Sequence, residues 1–132
     1  MKLNHECVRQ TLIMLENELD FENYIQIDPF NLAEQELTGF SNEDYIYTCL
    51  KLKEANLINA ATQYYMDEPF PKINISSITW EGHKFLDNIR DDNVWKNTKS
   101  VLSKFTSTSI SIISDVASQV ISNIISKQLN LS

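Results

Sequence analysis

Apolar residues recur at helical spacing over residues 4–20, where Val8, Leu12, Leu15 and Leu19 follow an i, i+4, i+7, i+11 pattern and Asn4 stands where a cap belongs. Tyr24-Ile25-Gln26-Ile27 alternates over a span too short for a helix and predicts a strand closed by Asp28-Pro29. Residues 31–38 predict a short helix ended by Gly39. Ser41 and Asp44 form a Ser-x-x-Asp pair that opens the next helix, running to about Ala55 with Tyr45, Ile46, Cys49 and Leu52 facing inward. Asn56 follows as a residue able to take the left-handed conformation that ends a helix.

From Leu57 to Met66 the chain is rich in β-formers, and Ile73 and Ile75 then alternate with polar neighbours up to Ile78. Between them Asp67-Glu68-Pro69-Phe70-Pro71 predicts a hairpin with a five-residue, proline-stiffened tip. Thr79 caps a helix through Asp91 with Phe85, Leu86 and Ile89 on its inner face, and Trp80 and Trp95 are expected in packing positions. Helix, short strand, helix, helix, hairpin, helix is the order of a winged helix-turn-helix. The expectation is an α+β, mostly helical protein, with a winged helix-turn-helix-like domain over residues 1–92 and a helical carboxy-terminal extension over 93–132.

In that extension Val94, Trp95, Val101, Leu102 and Phe105 predict one helix, and residues 108–129 a long final one. At 100° per residue, Ile110, Ile113, Val116, Ala117, Val120, Ile121, Ile124 and Ile125 span an arc of about 180°. So wide an arc predicts burial, either within the chain or between two copies of it, and Ile110, Ile113, Ala117, Val120, Ile121 and Ile124 are its packing or dimerisation residues.

Composition narrows the functional classes. Among 132 residues there are only two glycines, so no glycine-rich phosphate cradle can be built. Cys7, Cys49, His5 and His83 lack metal-ligand spacing, so no metal or other cofactor is expected, and the thiols fit buried apolar positions in a reducing cytoplasm. The chain begins without a basic start and apolar run, and no apolar stretch approaches membrane-spanning length, so a bacterial cytoplasmic protein without membrane contact is expected. The serine-rich rather than lysine-rich face of the last helix argues the same way.

The net charge of −7 sits wholly in residues 1–66, with eleven acids and four bases, whereas residues 67–132 carry seven of each. In a winged helix the helix over 41–55 would enter the DNA major groove, yet its outward face presents Glu43, Asp44, Tyr47, Lys51 and Glu54, and the hairpin tip carries Asp67 and Glu68. Phosphate contacts need positive charge, so the usual docking mode is disfavoured. Those helix residues, with Tyr64 and Tyr65 on the hairpin, form the candidate interaction surface. Arg90, Lys96, Lys99 and Lys104 are the alternative basic DNA surface, or a solvated face neutralising Asp87, Asp91 and Asp92.

His83 and Asp87, four residues apart on one helix, are placed to pair as in a general-base arrangement, but no nucleophile motif accompanies them. No catalytic residue is assigned, and an enzyme is the least favoured class. A convergent polar pocket around His83 would favour it.

The run from Ile78 through Thr79-Trp80-Glu81-Gly82-His83 to Asp91-Asp92, with Val94-Trp95 and Lys99, resembles the signature of an uncharacterised domain-of-unknown-function family found in phages and prophages of Gram-positive bacteria. Arg9, the Leu57-Ile58 pair and the amphipathic last helix extend the resemblance over nearly the whole chain, while Asn56 departs from the glycine usual in winged helices. The resemblance implies a winged-helix-like fold and brings no catalytic residue or ligand. The resulting expectation is a non-enzymatic phage or prophage accessory protein acting through protein–protein contacts, with itself or another partner. The alternatives are a DNA-binding transcriptional regulator using a non-standard winged-helix surface and an acidic inhibitor of a host nucleic-acid-binding or defence protein.

Overall fold

The Asn4 side chain accepts the Cys7 N–H at 3.1 Å and starts helix α1 (His5–Glu18) as its spacing predicts. A computed structural model describes residues 1–31, 39–105 and 109–130; the helix expected over 31–38 lies, but for Asn31, outside the described residues. Strand β1 (Ile25–Ile27) and helix α2 (Asn42–Glu54) follow. Ser41 accepts the Asp44 N–H at 3.0 Å. At the other end Asn56 adopts φ 60°, and the N–H groups of Asn56 and Leu57 return to the carbonyls of Lys53 and Leu52 at 3.0 and 2.9 Å. That is the two-bond Schellman ending, with asparagine in the place where glycine is the usual choice.

Strands β2 (Ile58–Gln63) and β3 (Lys72–Ile78) pair antiparallel, and β1 adds to the other edge of β3, giving the order β1-β3-β2. The register pairs Ile75 with Ala60 and Ser77 with Asn59, leaving Ser76 as a bulge whose hydroxyl donates to the Asn59 carbonyl at 3.2 Å. The bulge resolves a phase problem. Ile73 and Ile75 alternate in step, but Ile78 is one residue out of step, and the extra serine returns it opposite buried Ile58.

The hairpin tip differs from the expectation. The ladder stops at Gln63, so the connection covers residues 64–71 rather than 67–71. Tyr65 leaves the strand to meet the edge of Phe30, with ring centroids 5.1 Å apart at 69°.

Helices α3 (Trp80–Ile89), α4 (Asp92–Leu102) and α5 (Ile110–Asn130) complete an α+β, mostly helical fold, with five helices and three strands among the described residues. The chain divides into two compact units within α3, residues Met1–His83 and Lys84–Ser132. In the first, α1 packs on α2 and β3 around Leu12, Leu15, Tyr45, Ile46, Cys49, Leu52, Ile73 and Ile75, all buried. In the second, α4 packs on α5, and Trp95, Leu102, Ile113 and Ala117 are buried.

Gly82 is buried, and a Cβ there would run into the Leu57 carbonyl and lie 2.6 Å from Ile78 Cγ2. Trp80, expected in a packing position, is 77% exposed. On a 100° helix it stands opposite Phe85, Leu86 and Ile89, so the side that buries those three turns the indole to solvent.

Candidate functional site

Helix α2 divides its residues by face. Tyr45, Ile46, Cys49 and Leu52 are buried, and Glu43, Asp44, Tyr47, Lys51 and Glu54 occupy the opposite arc. The last three meet Tyr64 and Thr62 around a cleft of about 280 Å³, which Leu50 and Lys53 also line. Tyr64 follows the last residue of β2 and is 70% exposed.

Inside this cleft the polar groups hold one another in place. Lys51 Nζ donates to Glu54 Oε2 at 2.9 Å and lies 5.3 Å from the centroid of the Tyr47 ring. The hydrogen bond to Glu54 raises the Lys51 pKa above its ordinary value, so the ammonium is retained. Lys53 Nζ donates to Thr62 Oγ1 at 3.2 Å, fastening α2 to β2, and the Tyr47 hydroxyl donates to the Met1 carbonyl at 3.4 Å. The outcome is two aromatic rings, one of them exposed, beside an ordered pair of opposite charges.

The tertiary fold therefore gathers Tyr47, Lys51, Glu54 and Tyr64 from the expected interaction surface. Glu43 and Asp44 lie toward the helix amino terminus and do not line the cleft, and Tyr65 is engaged with Phe30. Sequence reasoning missed Leu50, Lys53 and Thr62. Lys53 and Thr62 carried no local signal, because their meeting depends on how β2 returns along α2.

The expected basic stretch and the packing residues of α5 fall in the second unit, and His83 ends the first. Arg90 donates to Asp87 at 2.7 Å, so the arginine of the basic stretch is used in neutralising an acid. That contact also engages the carboxylate expected to pair with His83, which lines a cleft of about 500 Å³ instead. Lys96, Lys99 and Lys104 are exposed, with Lys99 Nζ 5.9 Å from the centroid of the Trp95 ring. Asp91 caps α4 by accepting the Val94 N–H at 2.9 Å. On α5, Ile113 and Ala117 are fully buried, while Ile110, Val120, Ile121 and Ile124 are half-buried. Asn88 reaches the hydroxyls of Ser114 and Ser118 at 3.4 and 3.3 Å.

Cys7 and Cys49 are buried free thiols, and burial raises both pKa values, so they are held protonated and unreactive. Among the described residues no group of three His, Cys, Asp or Glu could hold a metal ion, and no helix is long and apolar enough to cross a membrane.

Comparison with known proteins adds a family. Residues 2–109 match the family described as "Hypothetical protein (DUF2513)". A protein of Haemophilus influenzae, described as "Uncharacterized protein", is 32% identical over 129 residues, covering 98% of this chain and 99% of its own length. No solved structure matches the chain significantly.

Proposed function

We propose, for a chain that belongs to the DUF2513 family, that it is a non-enzymatic binding protein whose α2–β2 cleft docks a protein partner. The observation carrying this reading is the convergence of Tyr47, Lys51, Glu54 and exposed Tyr64 on one cleft. Tyrosine supplies contact area at low entropic cost, and an ordered charge pair selects the partner's polarity. The element order and the sheet order β1-β3-β2 favour a winged-helix-like description of the first unit, in which α2 would be the DNA-reading helix. The acids on α2 turn that surface away from phosphate and toward protein. A phage or prophage setting in the bacterial cytoplasm, suggested by the resemblance around residues 79–95, belongs to the same proposal.

The test is site-specific photocrosslinking of the full chain in cells, with the photoreactive residue at Tyr64 or, as a control, at Asn97. A discrete adduct from position 64 that disappears on Tyr47→Ala supports the reading. Equal adducts from both positions, or none, reject it. Anisotropy with mixed duplex DNA at low salt tests the runner-up, where electrostatics is strongest. Binding there that is lost on Lys96→Glu with Lys99→Glu would move the function to the basic surface.

Self-association is a second reading, carried by the exposed half of α5. Beyond Ala117, residues 118–130 of α5 run about 20 Å without a buried side chain, and Ile125 and Leu129 are 52% and 69% exposed. Sedimentation equilibrium of the full chain tests it. A concentration-dependent dimer abolished by Ile125→Glu supports self-association, and a monomer at high concentration removes it.

A further inference from the structure

We propose that a second cleft, at the carboxy-terminal end of α1, binds a small amphipathic organic cation, an arylalkylamine-type ligand with an apolar body and one ammonium group. This goes beyond the protein-partner reading and uses a different surface. The cleft encloses about 500 Å³ and lies entirely within the first unit. That volume is in the range of pockets that take small organic ligands.

The chain builds it from a tied turn. Helix α1 stops where Leu19 N–H returns to the Leu15 carbonyl at 3.0 Å. Three bonds of 2.8 Å then close the following loop: Asp20 N–H donates to Asn23 Oδ1, Glu22 N–H to Asp20 Oδ1, and Asn23 Nδ2 to the Glu18 carbonyl. Between these anchors Phe21 is fully exposed beside the cleft it lines. The tied turn fixes the backbone that carries this aromatic residue at the cleft, so a ligand there has only the side chain left to order.

The lining chemistry selects the ligand. Leu19, Phe21 and Ile78 supply apolar walls, Glu16 and Asp20 are carboxylates, and neither lysine nor arginine lines the cleft. An anion would meet like charge on entry. A purely polar cation would leave the apolar walls unused, and a neutral hydrocarbon would desolvate carboxylates without compensation. A cation with an apolar body satisfies both halves, with its charge at Asp20 and also attracted to the negative face of the Phe21 ring. His83 forms part of the wall. With Asp87 engaged by Arg90, the imidazole serves ligand contact rather than a proton-transfer pair on its own helix.

The experiment is an amide chemical-shift titration of the full-length labelled chain with three probes of matched shape: 2-phenylethylamine, 2-phenylethanol and 3-phenylpropionate. The amine is expected to give saturable shifts at residues 19–23 and 76–78, the alcohol to bind about fivefold or more weakly, and the carboxylate not to bind. Asp20→Asn keeps an oxygen to accept the Glu22 N–H, so the turn persists, and it should weaken the amine by about fivefold while leaving the alcohol unchanged. Phe21→Ala, at a position fully exposed to solvent, should weaken both. Equal binding of amine and carboxylate, indifference to Asp20→Asn, shifts centred on the α2–β2 cleft, or no saturation at millimolar amine would each overturn the proposal.

Discussion

Helices α2 and α5 handle apolar surface in opposite ways. In α2, Tyr45, Ile46, Cys49 and Leu52 form one narrow stripe, and all four are buried within the first unit. In α5, eight apolar positions spread over about half the circumference, and only Ile113 and Ala117 are buried. Arc width and length, not hydrophobicity alone, decide whether a helix is satisfied by its neighbours. The stripe on α2 spans about 120°, and α1 and β2 both pack against that helix. A 180° arc over 21 residues exceeds what α4, with 11 residues, can cover.

Truncating one side chain in each helix separates the two. Leu52→Ala should cost about 2–5 kcal/mol, read from urea unfolding, because a fully buried leucine leaves a cavity. Ile125→Ala should stay within about 0.5 kcal/mol for the monomer. An equal loss at both positions would mean that the second half of α5 is covered and that the contrast is wrong.

A second substitution probes a close approach rather than a stripe. Gly82→Ala places a methyl group against the Leu57 carbonyl, which also accepts the Thr79 N–H at 3.0 Å, and should destabilise by about 1–3 kcal/mol. Thermal unfolding measures it, and a neutral result would show that α3 can move away from that strand end.

At the end of α2 the expected effect is smaller. Asn56→Ala should cost about 1 kcal/mol, because a Cβ at φ 60° is strained and asparagine tolerates it better than alanine. Asn56→Gly should be neutral or slightly stabilising by the same denaturation assay.

The smallest effect at neutral pH concerns the thiols. Burial raises the Cys7 and Cys49 pKa values above those of the unfolded chain, so the folded state retains protons that the unfolded state releases. The stability this contributes is complete below the ordinary thiol pKa and declines as pH rises beyond it. Unfolding midpoints should fall above about pH 9, and less so in a Cys49→Ala variant. Alkylation of the native protein at neutral pH should be slow at both positions.

Much of the fold was legible in the chain because its determinants are local. Asn4, Ser41 and Thr79 each cap a helix through their own side chains, with Thr79 Oγ1 accepting the Gly82 N–H at 2.9 Å, and Asn56 ends α2 through its own backbone. The inward faces of α1 and α2 followed from spacing. The candidate site was half legible. Tyr47, Lys51 and Glu54 share a helix face by arithmetic, but their meeting with Tyr64 and Thr62 depends on a strand whose path no local rule prescribes. Trp80 was misplaced for a related reason. An indole is normally valuable in a core, but Gly82 sets how α3 lies and turns its first residue outward.

Local sequence alone specifies the caps that start α1, α2 and α3, the ending of α2, the side chains that face inward on α1 and α2, and where the acids concentrate. These follow from interactions within a few residues or from composition. Tertiary packing is what sets β3 between β1 and β2, makes Ser76 bulge to bring Ile78 back into step, draws Tyr65 off the ladder to Phe30, and forms the α2–β2 cleft and the cleft at the end of α1. Each of those depends on contacts between residues distant in the chain. The free energy of such contacts comes from joint burial and hydrogen bonding, which no single segment encodes.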